Sequence, residues 1–288
     1  MLKFHSGHSA EVTLGCMEVI PEQASRFGTI ELGPDRRVKR FHEKPVVAHK
    51  QGRALVSMGI YVFDREALEE ALRADALAPG SRHDLGRDII PRMVAEDRSV
   101  LAYDATEEQA PDGFYWRDIG VIDAYWEAGM KLLEDGCPFD LYDPEWTIFS
   151  YQAASPPARV RMQTIAGCGL DRSLLCPVAT VTGARIDKSI LLTGVNVESG
   201  AKVVESVLLN DVHLGRGARV RRAIIGKGTV VPDGYAIGID RESDRRRFYV
   251  SPGGIAVVAD IVPRCQLERK LDPYAFEMAP MGGSISTN

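Results

Sequence analysis
Cysteine is sparse in this chain of 288 residues: Cys16, Cys137, Cys168, Cys176 and Cys265 are odd in number, widely spaced and never form a CxxC pair. That pattern offers neither a disulfide framework nor a structural zinc site, and points to thiols in a reducing compartment. Long hydrophobic runs are absent too, since no stretch approaches the ~20 apolar residues that a bilayer span needs. The N-terminus lacks the apolar h-region of a signal peptide, so a cytoplasmic location is expected. Positive charge is in deficit, with 35 Lys and Arg against 40 Asp and Glu and a net charge of -5, which disfavours non-specific nucleic-acid binding. The Arg pairs and triplets at 221–222 and 245–247 are local, facing an anionic partner or solvent. Also missing is a Gly-rich loop followed by a basic residue in a strand-loop-helix setting, a common cradle for nucleotide phosphates. The Gly-Gly pairs, Gly253-Gly254 and Gly282-Gly283, lie elsewhere. What is present, 45% hydrophobic and 26% charged residues, suits a folded globular chain long enough for two domains.

The dominant positive feature is a repeat. Residues 177–193, 194–210 and 211–227 align as three 17-residue copies without a gap. Gly183-Ala184, Gly200-Ala201 and Gly217-Ala218 fill one pair of columns, Ile186, Val203 and Val220 another, and Ile190-Leu191, Val207-Leu208 and Ile224-Ile225 a third. A partial copy from Gly228 keeps Gly234 and Ile237. Seventeen residues are too few for a helix pair, and β-branched residues with glycine at fixed places favour short strands joined by tight turns. At about 3.3 Å per residue such a unit makes one coil roughly 56 Å around. Stacked coils bury an apolar column that no coil buries alone, so a parallel β-helix is predicted.

Ahead of the repeats, strands are predicted at 11–20, at 28–33 and 37–42 around Gly33-Pro34-Asp35, at 55–63 and at 99–103. Asp64 is placed to cap a helix at 65–77; further helices are expected at about 86–97, with Pro91 early in it, and at about 121–134. The last carries Ile122, Tyr125, Trp126, Met130 and Leu133 at helical spacing. Alternating strands and helices imply an α/β layer over 1–135, followed by a connector at 136–157, a β-helix at 158–265 and a poorly ordered tail at 266–288.

Three groups in the first part can carry chemistry. In Phe41-His42-Glu43-Lys44-Pro45, proline should hold Lys44 extended at a strand end, where an ammonium can meet a phosphate, a contact worth about 1.5–3 kcal/mol; such a turn also serves as plain solvated surface. In Tyr115-Trp116-Arg117-Asp118, the aspartate stands before a helix, where α/β proteins bind ligands, and is either a magnesium ligand or a helix cap. Ser57 and Tyr61, four apart on one strand, share a face and can either hydrogen-bond a sugar or satisfy nearby backbone.

The order of motifs adds to this. Phe41 to Pro45, then Ser57-Met58-Gly59-Ile60-Tyr61-Val62-Phe63, His83-Asp84-Leu85-Gly86-Arg87-Asp88-Ile89-Ile90-Pro91 and Tyr115 to Gly120 follow one another. After them come Asp123-Ala124-Tyr125-Trp126, Leu141 to Trp146 and, beyond the repeats, Arg246-Arg247-Phe248-Tyr249 with Gly254-Ile255. Over residues 1 to about 265 this sequence resembles the bacterial glucose-1-phosphate adenylyltransferases. The resemblance implies an α/β nucleotidyltransferase-like, Rossmann-like partial domain followed by a left-handed parallel β-helix, the hand coming from the resemblance alone. It implies transfer of an adenylyl group from ATP to glucose 1-phosphate, giving ADP-glucose and pyrophosphate for glycogen synthesis, with Mg2+ and a homotetramer. By the same resemblance Lys44 binds the sugar phosphate, Glu43, Ser57 and Tyr61 surround the sugar, and Asp84 and Trp116 line the pocket. Gly28, in Ser25-Arg26-Phe27-Gly28, lies near the nucleotide-sugar, and Asp118 is one of two magnesium aspartates. Lys227 and Arg264 correspond to basic residues of a regulatory site, although Asp260 stands where a further basic residue can occur, and Leu85 replaces a frequent Phe.

Members of that family carry a Gly-rich loop with an Arg, and the other metal aspartate, ahead of the segment matching Met1-Leu2-Lys3-Phe4-His5. The expectation is therefore that this chain alone does not turn over ATP and exposes apolar sheet edges. Two other readings compete: a hexapeptide-repeat acyltransferase, with His213 as general base, and a non-catalytic regulatory or assembly partner of a longer homologue.

Overall fold
The computed structural model describes residues 1–44, 53–107, 115–137, 139–149, 154–162 and 168–259. The chain divides into two compact units, 1–118 and 119–288. This division falls inside the span assigned above to the first domain. No helix among the described residues is long and apolar enough to cross a membrane.

In the first unit helix α1 (Leu2–Gly7) precedes β1 (Val12–Val19), α2 (Pro21–Ala24), β2 (Gly28–Leu32), β3 (Val38–Glu43) and β4 (Ala54–Phe63). Then come α3 (Arg65–Ala76), a π-helical turn (Leu85–Ile89), α4 (Ile90–Ala95) and β5 (Val100–Asp104). The sheet order is β3-β2-β4-β1-β5, with β1 and β5 parallel and the other neighbours antiparallel. Alternation on β1 places Val12, Leu14 and Cys16 in a core with Ile89, Ile90, Met93 and Val100. Burial pushes the Cys16 thiol well up, which keeps it inert. As predicted, Asp64 caps α3, its Oδ1 accepting from the backbone N–H of Glu66 at 3.0 Å and Ala67 at 3.2 Å.

Three expectations are corrected here. The helix forecast at 86–97 opens as a π-turn, with Pro91 in the first turn of α4. Lys44 is not extended: strand β3 ends at Glu43, and Lys44 takes φ +48°, its N–H donating to Phe27 O at 3.1 Å. Pro45 lies outside the described residues. Edge strand β5 is not an exposed apolar edge, because Val100, Leu101 and Ala102 are buried and Leu101 bridges to Arg37. The Arg37 guanidinium closes that side by donating to the carbonyls of Asp97 and Arg98.

The second unit holds the parallel β-helix. One face stacks Arg159–Arg161, Thr180–Thr182, Asn196–Val197, His213–Leu214 and Val230–Val231; a second stacks Gly169–Asp171, Arg185–Asp187, Lys202–Val204, Arg219–Arg221 and Ala236–Ile237. The third stacks Leu174–Leu175, Ile190–Leu191, Val207–Leu208, Ala223–Ile225 and Ala256–Val258, edged by Tyr249–Val250. Ile186, Val203, Val220 and Ile237 form one inward column, Leu191, Leu208, Ile225 and Val258 another, and Val181, Val197, Leu214 and Val231 the third. The gapless alignment of the first copy is corrected on one face: Val181 pairs with Val197, not with Glu198, so the turn between Val181 and Ile186 is one residue shorter than its successors. Gly183, Gly200, Gly217 and Gly234 occupy one corner with φ between +53° and +76°, a backbone only glycine adopts freely.

The third face is covered on its outer side, which explains its paired aliphatic columns. Helix α5 (Ile122–Lys131) lays Trp126 over Ile190, Val207, Ile224 and Ile255. The indole Nε1–H donates to Glu205 O at 2.8 Å, and the Arg222 guanidinium lies 4.6 Å from the ring centroid.

At another corner Arg172, Lys188, Glu205 and Arg222 all have positive φ without being glycine. At Arg172, Lys188 and Glu205 the serine that follows explains the tolerance. Ser189 Oγ donates to Asp187 O and Ser206 Oγ to Val204 O, both at 2.7 Å. The same hydroxyls accept from the N–H one coil on, Ser189 Oγ from Ser206 and Ser206 Oγ from Ala223, both at 3.2 Å. Each buried serine thus fixes its own corner and bonds the next. Ser206→Ala should cost about 1–3 kcal/mol in chemical denaturation by orphaning the Ala223 N–H.

In the first unit Glu11 accepts from Arg98 at 2.7 Å and from Ser99 N–H at 2.7 Å, which, with the Arg98 bond leading, holds its carboxyl below the usual range. A depressed folded value stabilises above the ordinary Glu pKa and loses that contribution as pH falls through the folded value. Glu11→Gln should therefore lower the melting temperature at pH 7 and match the parent in acid below the folded value.

Candidate sugar-phosphate site
Strands β2 and β3 pair Gly28 with Glu43 at their ends, and the π-turn brings Gly86 to the same carboxylate. A Cβ on Gly28 would lie 2.5 Å from Phe41 Cζ and 2.9 Å from Glu43 Oε2; one on Gly86 would also lie 2.9 Å from Oε2. The two glycines are therefore the space that the carboxylate occupies. Its other oxygen, Oε1, is 3.9 Å from Lys44 Nζ, and the lysine side chain is 58% exposed, available to an incoming anion.

On β4 the residues Met58-Gly59 bulge out of register between Cys16↔Ser57 and Gly15↔Ile60, with Gly59 at φ +72°. The bulge separates Ser57 from Tyr61, yet Ser57 Oγ comes to 3.5 Å from the Tyr61 hydroxyl and accepts from Gly59 N–H at 3.2 Å. Burial pushes the Tyr61 phenol up; the Ser57 hydroxyl opposes this, and the charges of Glu43 and Asp84 add to it. Tyr61 consequently keeps its proton as a donor at neutral pH. Asp84 opens the π-turn, its Oδ1 accepting from Arg87 N–H at 2.9 Å.

Next to this cluster Phe27 meets Trp116 edge-on, ring centroids 5.6 Å apart. Arg26 donates to Asp118 Oδ2 at 3.4 Å. Asp118 does not cap the following helix, which begins at Ile122 with Val121 at its N-cap position. Gly28, Glu43, Ser57, Tyr61 and Asp84 are thus drawn together, with Lys44, Trp116 and Asp118 joined through the segment Arg26-Phe27-Gly28. Lys227 is exposed on the β-helix of the other unit, and Arg264 lies outside the described residues.

Sequence reasoning missed Arg26, Phe27 and Gly86 as members of the site. Gly86 alone left a signal, a glycine inside an expected helix start. His213 has partners at both ring nitrogens, Nδ1 3.1 Å from Asn196 Nδ2 and Nε2 3.2 Å from Glu198 Oε1. Among the described residues no group of three or more His, Cys, Asp or Glu side chains is arranged around a metal position.

A sheet carrying the Ser57 and Tyr61 hydroxyls on β4, with Glu43 and Lys44 at the end of β3 and Asp84 at the mouth of the π-turn, in a chain that also holds a β-helix, fits the nucleotidyltransferase class. Comparison with known proteins agrees: residues 1–135 match the nucleotidyl transferase family and residues 156–258 the GlmU-like C-terminal hexapeptide family. The glucose-1-phosphate adenylyltransferase of Methylococcus capsulatus is 40% identical over 275 residues, covering 93% of this chain and 64% of its own length. Those of Dechloromonas aromatica and Nitrosococcus oceani are 40% identical over 266 residues, covering 90% of this chain and 60% and 62% of theirs. The chain belongs to the glucose-1-phosphate adenylyltransferase family and spans roughly three-fifths of the length of these relatives.

Replacing Gly86 by Ala should displace the Glu43 carboxylate, the movable end of a flexible side chain, at little cost in stability. Gly59→Ala, which meets nothing within 4 Å, should cost about 1 kcal/mol from its positive φ alone. Thermal melts of the two variants check the contrast.

Proposed function
We propose that the first unit holds the glucose 1-phosphate and ADP-glucose side of a glucose-1-phosphate adenylyltransferase site, for the reaction of ATP with glucose 1-phosphate. The observation that carries this reading is the Glu43 carboxylate wedged against Gly28 and Gly86 beside Tyr61 and Ser57. A carboxylate with two hydroxyls around it is suited to the hydroxyls of a hexose, and Phe27 and Trp116 supply an apolar wall. Lys44 supplies the point charge for the sugar phosphate, and Asp84 completes the polar rim.

Phosphoryl transfer needs positioning and charge neutralisation more than covalent help. In this reading Glu43, Tyr61 and Ser57 fix the sugar ring, Lys44 draws its phosphate into line and Arg26 orients the Asp118 carboxylate. Nucleotidyltransferases generally use a divalent metal. One carboxylate with substrate phosphates suffices for magnesium, and Asp118 is the residue that would hold it. The metal would neutralise charge on the phosphate oxygens. We further infer that these 288 residues by themselves do not turn over ATP, since they contain no Gly-rich phosphate loop, and that the β-helix serves assembly into a homo-oligomer.

Calorimetry with ADP-glucose and magnesium tests the reading. The parent chain should bind, Glu43→Gln should weaken binding about tenfold through loss of a charged hydrogen bond, and pyrophosphorolysis should stay at background. A folded parent that does not bind ADP-glucose overturns the site assignment. Turnover abolished by Asp118→Asn overturns only the inference of inactivity.

A further inference from the structure
Asp75 is a carboxylate buried on the inner face of α3, only 3% exposed, and it lies outside the residues assigned to the site. A buried ion persists only if its lone pairs are filled. Three side chains fill them: Ser81 Oγ donates to Oδ1 at 2.7 Å, Arg92 Nη2 to Oδ1 at 3.3 Å, and His83 Nδ1 lies 2.7 Å from Oδ2. Facing an acceptor-only group, His83 Nδ1 carries the proton. The bond from His83 holds Asp75 below the usual carboxylate range, with Ser81 next, so it stays ionised.

His83 is held in a left-handed conformation, φ +59°, with its N–H donating to Ser81 Oγ at 3.0 Å. Side chains other than glycine enter that region at a cost. The bond to Asp75 supplies a reason for a histidine to be there. The next residue is Asp84, whose carboxylate holds Arg87 N–H and whose carbonyl accepts from Asp88 and Ile89. Two residues further on, Gly86 backs the Glu43 carboxylate. A continuous set of contacts therefore runs from the interior of α3, through His83, to the acid that grips the sugar.

We propose that Asp75 is a positioning residue for the sugar-phosphate site, acting through His83 to set where the π-turn places Asp84 and Gly86 against Glu43. The proposal rests on the sugar-phosphate reading of that site. It gives Asp75 no contact with substrate.

The test uses the full chain with Asp75→Asn, which keeps the shape and removes the charge, and His83→Gly, which suits a positive φ and removes the ring. If the histidine matters only as a strained backbone position, glycine serves as well or better. The expected result is a folded His83→Gly with a lowered melting temperature, since Asp75 loses one partner, and a rise in ADP-glucose Kd of about tenfold, a similar rise in Asp75→Asn, and no further loss of affinity in the double variant, because both sever one link. Exchange of the Arg87 and Asp88 amides should quicken about tenfold in each variant, with the β1 and β4 amides unaffected. Wild-type affinity in His83→Gly, or losses that add, overturn the proposal. A parent that binds no ADP-glucose defeats the sugar-phosphate reading instead, and the amide exchange alone then decides the coupling: unchanged Arg87 and Asp88 rates refute it. If Asp75→Asn does not fold, His83→Gly gives both readouts.

Discussion
One oxygen of Glu43 occupies the room left by two missing side chains, and the candidate site depends on that fit. Gly28 comes from the start of β2 and Gly86 from the π-turn, so the carboxylate ties a hairpin to a helix entry. With Oε2 in that space, Oε1 lies 3.9 Å from Lys44 Nζ. Pre-organisation of this kind lowers the entropy lost on binding, because the polar groups are already fixed before a ligand arrives. The bulge at Met58-Gly59 serves the same end on β4, turning Tyr61 back towards Ser57.

The β-helix solves a different problem, how to bury enough apolar surface with strands of two or three residues. Stacking in register supplies it, and the buried serines Ser189 and Ser206 satisfy the corner polar groups that the stacking encloses. Where the ladder reaches Ala223, no hydroxyl continues it; there Ala256 N–H donates to Arg222 O, as the final strand joins the face. Trp126 then converts the outer side of one face into a second apolar layer.

Much of this could be read in the chain, and the divide between legible and hidden features is physical. The inward columns at Ile186, Val203 and Val220 repeat, so the coil declared itself. The paired columns at Ile190-Leu191 and Val207-Leu208 repeat as well, but the covering helix could not be inferred, because a repeat carries no information about what packs outside it. The strands and the Asp64 cap followed from local spacing. The pairing of Arg26 with Asp118 spans 92 residues and leaves no local trace. Lys44 departed from its expected extended form because the end of β3 and the bond to Phe27 O outweigh the preference of a residue preceding proline. The π-turn escaped notice because its defining bond, Ile89 N–H to Asp84 O, is a shift of backbone register that leaves no mark in residue type.

The short turn between Val181 and Ile186 shows how this unit can change length. A single residue was absorbed at a corner, while both strands that flank it kept their inward side chains aligned with the coil above. Within a strand the same deletion would turn every following side chain inside out. Variation in such a solenoid is therefore confined to its corners, which accept the loss of one residue here and, between Ile237 and Ala256, the insertion of a whole helix, Arg241–Arg247.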